Sequence, residues 1–125
     1  MNYLLDTHAF LWMLAAPERL NAKARDVIQN PDRTVYVSAV TAVEIAIKTA
    51  IGKLESPESL WKELHARGLQ ELPLRYTHGE RLRTLPPHHS DPFDRMLIAQ
   101  AAEENLTIIT HDEKFARYET RILWT

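Results

Sequence analysis

Short apolar or β-branched runs alternate with helix-forming stretches along nearly the whole chain, and that order constrains the fold more than any single motif. Tyr3-Leu4-Leu5 reads as a buried strand. An amphipathic stretch follows over residues 8–16, then a short helix over residues 21–30 that stops at Pro31. Thr-Val-Tyr-Val-Ser at 34–38 is β-branched and aromatic, hence a strand. Residues 41–51 form a helix ended by Gly52. Ser56-Pro57-Glu58 carries a capping residue, a first-turn proline and an early acid, so a helix is expected from there to about Arg67. Residues 69–74 read as a strand, 78–85 as a short helix ended by Pro86-Pro87, and 92–104 as a helix capped by Ser90 or Asp91. Strands at 107–110 and 121–123 complete the order. Alternation of this kind implies parallel strands joined by helical crossovers. The expected fold class is α/β: a three-layer α/β/α sandwich with a central parallel sheet.

The 125 residues suit one domain over 1–125, and the 3 Gly and 7 Pro nowhere cluster into a linker. With 15 Lys and Arg against 17 Asp and Glu, the net charge of −2 excludes a global positive field for nucleic acid. A local basic patch stays compatible with it. Cysteine is absent, which excludes disulfides, zinc–thiolate sites, iron–sulfur clusters and cysteine nucleophiles. No apolar run approaches the ~20 residues of a membrane span. Asp6 and His8 interrupt what would have to be the apolar core of a signal peptide. A cytoplasmic protein with no membrane association is expected.

In an open parallel sheet, ligands bind beyond the C-terminal ends of the strands. Asp6 directly follows the first strand, and Asp112 lies two residues after the strand at 107–110. If those strands are neighbours, both acids face one crevice; the blander role for each is a turn or helix cap. Glu44 is more telling. At 100° per residue, Val40, Val43, Ile47 and Ile51 fall within about 80° of one another, and Glu44 borders that stripe, on the face expected to be buried. An acid there needs a cation or hydrogen bonds to compensate it. Lys48, at i+4, is the structural alternative. In the helix at 92–104, Asp91 is the better cap, which leaves Asp94 as a surplus acid in the first turn.

Four carboxylates meeting in one crevice repel, each close pair by on the order of 4 kcal/mol at ~4 Å and an effective dielectric near 20. Such a cluster holds protons or cations, and all-oxygen ligands suit Mg²⁺ or Mn²⁺. A cation so held is set up for metal-dependent phosphate or phosphodiester chemistry.

Asp6 after the first strand, Glu44 in the helix after the second, Asp-Pro-Phe-Asp-Arg-Met-Leu-Ile-Ala-Gln-Ala at 91–101, and Thr110-His111-Asp112 together resemble the PIN domain. More narrowly, the chain resembles the VapC-type toxin ribonucleases of bacterial toxin–antitoxin pairs, over residues 2–123. The resemblance implies a parallel sheet flanked by helices and a Mg²⁺- or Mn²⁺-dependent endoribonuclease, in which metal-activated water cleaves RNA. It matches Asp6, Glu44 and Asp94 to three core acids and Asp112 to a more variable fourth. Thr7 and Thr110 match hydroxyl residues that line the site. It further implies a cognate antitoxin protein and a homodimer.

An aspartyl-nucleophile phosphatase requires a second Asp two residues after the first, where this chain has His8. A receiver module requires paired acids after its first strand and a Lys after its last, and both are missing. The remaining rivals are a PIN-like nuclease with a non-toxin RNA-processing or DNA-directed role, and a catalytically silent binding module. Lys48 and Arg95 are the best candidates for phosphate contacts, because each neighbours a site acid. His88-His89 follow two prolines and are read as a solvated loop rather than as metal ligands. Trp12, Trp61 and Trp124 are read as packing residues.

Overall fold

Strand alternation sends Tyr3 and Leu5 to one face of a sheet and Leu4 to the other, and two separate apolar layers form around that division. The computed structural model describes residues 1–125. Strands β1 (Asn2–Leu5), β2 (Thr34–Ser38), β3 (Gln70–Leu72), β4 (Thr107–Thr110) and β5 (Ile122–Trp124) pair in parallel in the order β3-β2-β1-β4-β5. Helices α1 (Thr7–Ala15), α2 (Ala22–Gln29), α3 (Ala39–Ala50), α4 (Leu60–Ala66), α5 (Tyr76–Thr84) and α6 (Pro92–Glu104) connect them. The expected α/β architecture with a central parallel sheet is the one observed.

On one face, Tyr3, Leu5, Val35, Val37 and Ile109 pack against Phe10 and Met13 of α1, Ala24 of α2 and Leu64 of α4. On the other, Leu4 and Ile108 pack against Leu97, Ile98 and Ala101 of α6 and against Phe115. Helix α3 serves both layers, giving Ile45 to the first and Val40 to the second. A buried polar tie fixes its start. Ser38 Oγ accepts the Val40 amide at 2.9 Å and donates to Gln100 Oε1 of α6 at 2.5 Å.

Several expected boundaries move. The helix expected from Ser56 begins at Leu60, where Ser59 Oγ accepts the Lys62 amide; Leu54 packs against the core from irregular chain instead. The strand expected over 69–74 contracts to Gln70–Leu72, because only those residues pair with β2. Helix α5 begins at Tyr76, ahead of His78, because His78 Nδ1 accepts the Arg75 amide and closes its first turn. Two 3₁₀ turns, Pro17–Arg19 and Glu113–Arg117, were not legible in the pattern.

The winding decides where a site can form. From β1 the chain adds β2 and β3 on one side, then returns through α5 and α6 to place β4 on the other side of β1. The direction of winding therefore switches between β1 and β4, and a crevice opens beyond their C-terminal ends. Leu4 and Ile108, partners across these two strands, are both 0% exposed. Leu4→Ala is expected to cost about 2–5 kcal/mol, read as a lower urea midpoint with an unchanged slope. A loss below about 1 kcal/mol would contradict the packing described.

Candidate active site

The residue after β1 is Asp6, and the turn there is dictated by its side chain. Asp6 Oδ1 accepts the Ala9 amide at 2.7 Å and so caps α1. Its other oxygen, Oδ2, accepts the Thr110 hydroxyl at 2.5 Å, which ties the ends of β1 and β4 together. Thr110 Oγ1 also accepts the Asp112 amide at 3.0 Å, and Asp112 Oδ1 accepts the Lys114 amide at 2.9 Å, capping the turn Glu113–Arg117. Asp6 and Asp112 are thus caps and crevice residues at once.

Glu44 reaches the same end of the sheet from α3 and is only 2% exposed. The basis on which its burial is expected from sequence does not hold. Val43, Ile47 and Ile51 are 52%, 47% and 60% exposed, whereas Val40, Thr41, Glu44 and Ile45 form the buried face. Helix α3 lies against α1 and α6 near the sheet's rim and turns its most apolar stripe outward. Thr7 Oγ1 donates to Glu44 Oε1 at 2.7 Å and lies 3.1 Å from the Thr41 hydroxyl. The Lys48 ammonium pairs with Glu44 Oε2, so the i+4 ion pair forms even though its acid is buried.

Asp91 caps α6 as expected, its Oδ1 accepting the amides of Phe93 at 2.8 Å and Asp94 at 3.3 Å. That leaves the Asp94 side chain free to meet a group the sequence reading sent elsewhere. His89 is 8% exposed, not solvated, and its Nε2 lies 2.9 Å from Asp94 Oδ2. The loop reading holds for His88, which is exposed, and fails for His89 because Phe115 and Tyr118 cover it. Donor atoms of His89, Asp94 and Asp112 lie within 4.8 Å of one another, a spacing that can hold a metal ion. Glu44 lies outside this group, on the side of Thr7 and Lys48. Arg95 is committed to the preceding loop: its guanidinium donates to Pro86 O at 2.9 Å and to Tyr118 Oη at 3.1 Å.

The charges of these groups act on one another. Burial raises the Asp6 carboxyl above its ordinary range, against the hydrogen bonds from Thr110 and Ala9, and the Asp112 charge adds to the rise. Asp94 is pushed up to about 6, first by burial and then by Asp91, with a further contribution from Asp6 and opposition from His89. Lys48 is raised by its hydrogen bond to Glu44, and by the charges of Glu44, Asp91 and Asp94. Beside the acids, a cleft of about 700 Å³ is lined by Asp6, His8, Trp12, His111, Asp112, Lys114 and Arg117, among others. Acids raised first by burial and then by one another's charge, at a topological switch point, form a group that can hold a cation.

The PIN domain family model matches residues 3–120. The chain belongs to the PIN-domain family. Among curated relatives, this PIN domain is 26% identical over 114 residues to ribonuclease VapC22 of Mycobacterium tuberculosis, covering 89% of this chain and 87% of the relative. Among solved structures, it superposes on DNA-bound VapBC from Salmonella typhimurium with a TM-score of 0.74, at 18% identity, over 99% of this chain and 98% of the other. VapBC-5 from M. tuberculosis, a member of the VapBC family of toxin–antitoxin systems, matches at a TM-score of 0.61 and 20% identity, over 98% and 96%. At those identities the two structures show the shared fold.

Sequence reading missed His89, Tyr118 and Gln100. Gln100 had a signal, as the one polar residue in the apolar run from Met96 to Ala102. His89 had only its nearness to Asp91 and Asp94, because the loop that buries it is closed by Tyr118, distant in sequence.

The raised Asp94 makes stability depend on pH. As pH falls, the folded protein takes up this proton near 6, before the unfolded chain does so near the ordinary value of 3.8. Between those values the folded state holds more protons, so this carboxylate's burden lightens toward acid and is complete above pH 6. In metal-free protein, Asp94→Asn should therefore raise stability at neutral pH and flatten the dependence between about pH 4 and 6. Urea unfolding in EDTA across that range reads both, and an unchanged profile in the variant would contradict the assignment.

Proposed function

We propose that this PIN-domain protein is a metal-dependent endoribonuclease that acts as the toxin of a toxin–antitoxin pair. The observation that carries the reading is the convergence of Asp94, Asp112 and His89 donor atoms, with Asp6 lining one cleft with Asp112, at the switch point between β1 and β4. Two features support the choice of substrate and role: likeness to a curated ribonuclease along most of both chains, and a fold shared with members of toxin–antitoxin complexes. A cognate antitoxin and a second copy of the chain are the partners this reading expects. No helix is long and apolar enough to cross a membrane, which agrees with a cytoplasmic site of action.

The donor set fits a hard divalent cation. Asp6, Glu44, Asp94 and Asp112 offer oxygen ligands, as Mg²⁺ and Mn²⁺ require. Burial of Asp6 and partial burial of Asp94 leave their charges costly without one. When bound, the cation supplies charge neutralisation at the phosphate and acidifies water for attack on phosphorus.

The remaining work belongs to the chain. Thr110 and the α1 amides hold Asp6 in a single orientation. Thr7 holds Glu44 from one side and Lys48 from the other. Lys48, drawn toward Asp91 and Asp94 as well as Glu44, stands where it can take an RNA phosphate. Arg95 serves the loop before α6 rather than the substrate.

Labelled RNAs of the transfer, ribosomal and messenger classes, with a DNA control, are to be incubated with wild type and Asp6→Asn, with and without Mg²⁺ or Mn²⁺. The expected result is metal-dependent RNA cleavage that falls below detection in the variant, a loss on the order of several kcal/mol in barrier terms. Cleavage confined to DNA would make this a DNA-directed nuclease. Metal binding and cleavage both absent from wild type would leave a binding module and overturn the proposal.

A further inference from the structure

We propose that His89 is a positioning residue for Asp94: its imidazole holds one oxygen of that carboxylate and leaves the other to a bound divalent cation. The inference rests on the nuclease reading above and names a further residue of the same site.

The ring's hydrogen bonds fix where its proton sits. The Asp91 amide donates to His89 Nδ1 at 3.4 Å, so Nδ1 presents its lone pair and the proton is carried on Nε2. Nε2–H then donates to Asp94 Oδ2 at 2.9 Å. Asp94 Oδ1 accepts from no protein group and is not among the buried unpartnered atoms, so it reaches solvent. The carboxylate is therefore anchored through one oxygen and available through the other. A nitrogen that carries the proton for this bond cannot also be a metal ligand. For that reason His89 acts through Asp94, although a ring nitrogen lies within 4.8 Å of both acids' donor atoms.

The residue is held in turn by groups from three parts of the chain. The His89 amide donates to Tyr118 Oη at 3.0 Å, and the same hydroxyl accepts from Arg95 Nη1 at 3.1 Å. Arg95 also binds Pro86 O, and the edge of His89 meets Phe115 with centroids 6.3 Å apart. Loop, helix α6 and the turn after β4 thus converge on one imidazole, and what that imidazole controls is Asp94. Partners of a ligating carboxylate typically govern metal affinity by about 10- to 100-fold.

The test measures Mn²⁺ binding to the full chain, stripped with EDTA, by electron paramagnetic resonance of the free ion. Pulsed resonance on the bound ion detects any directly coordinated nitrogen. Wild type, His89→Ala, His89→Gln and Asp94→Asn are compared. Expected are a weakening of about 10- to 100-fold in His89→Ala, recovery of most of it in His89→Gln, whose amide N–H can replace Nε2–H, and no directly bound nitrogen in wild type. Should His89→Ala fail to fold, His89→Leu keeps the volume without the donor and carries the comparison. A bound-nitrogen signal in wild type that disappears in His89→Gln would make the ring a ligand and overturn the proposal. Equal Mn²⁺ affinity in wild type and every folded His89 variant would also overturn it. If Asp94→Asn weakens binding while the His89 variants leave it intact, only this inference fails; if wild type itself binds no Mn²⁺, the nuclease reading fails with it.

Discussion

Like charge held out of water is the constraint around which this fold is arranged. Asp6 is almost wholly buried, and Asp94 is raised to about 6 by burial together with Asp91 and Asp6. Each carboxylate would be expelled or neutralised if it stood alone. They stay because the backbone answers them. Asp6 caps α1, Asp112 caps the turn Glu113–Arg117, and Asp94 sits in the first turn of α6 beneath the Asp91 cap. Asp6 and Asp112 accept unpaired amides at the positive ends of helical segments, and Asp94, at the same end of α6, is held by His89. Switching the winding direction between β1 and β4 brings those ends to one place.

Cap and site acid are therefore not competing roles in this protein. The local chemistry that ends a strand and starts a helix also aims a carboxyl group into the crevice. Side-chain bonds complete the arrangement. Thr110 joins Asp6 to the Asp112 turn, Thr7 joins α1 to Glu44, and Ser38 with Gln100 secures the start of α3 against α6. The site is built on helix starts and strand ends rather than on long loops, which is how a small chain can hold several acids in fixed register.

Much of this was legible in sequence, for reasons that differ by residue. Asp6 and Asp112 were readable because strand ends are local features and the parallel order follows from alternation. Asp94 was readable as the surplus after Asp91 had taken the cap. Glu44 was singled out on an apolar stripe that proved to face outward, since Val43, Ile47 and Ile51 are exposed. Helical periodicity says which residues share a face, but not which face the rest of the molecule covers. The helix expected from Ser56 failed because Pro57 and Glu58 suit a first turn locally, while Leu54 and Ser59 settle the chain differently. His89 was invisible because its burial depends on Tyr118 and Phe115, which only the folded chain brings near.

The central claim is that Asp6, Asp94 and Asp112 are held together to receive one or more cations. Crystals soaked in Mn²⁺, with data collected at the manganese absorption edge, test it most directly. The account predicts an anomalous peak within ligand distance of Asp94 and Asp112 carboxylate oxygens, beside Asp6. A fully soaked crystal with no peak in that crevice, or with its only peaks on surface acids elsewhere, would contradict it.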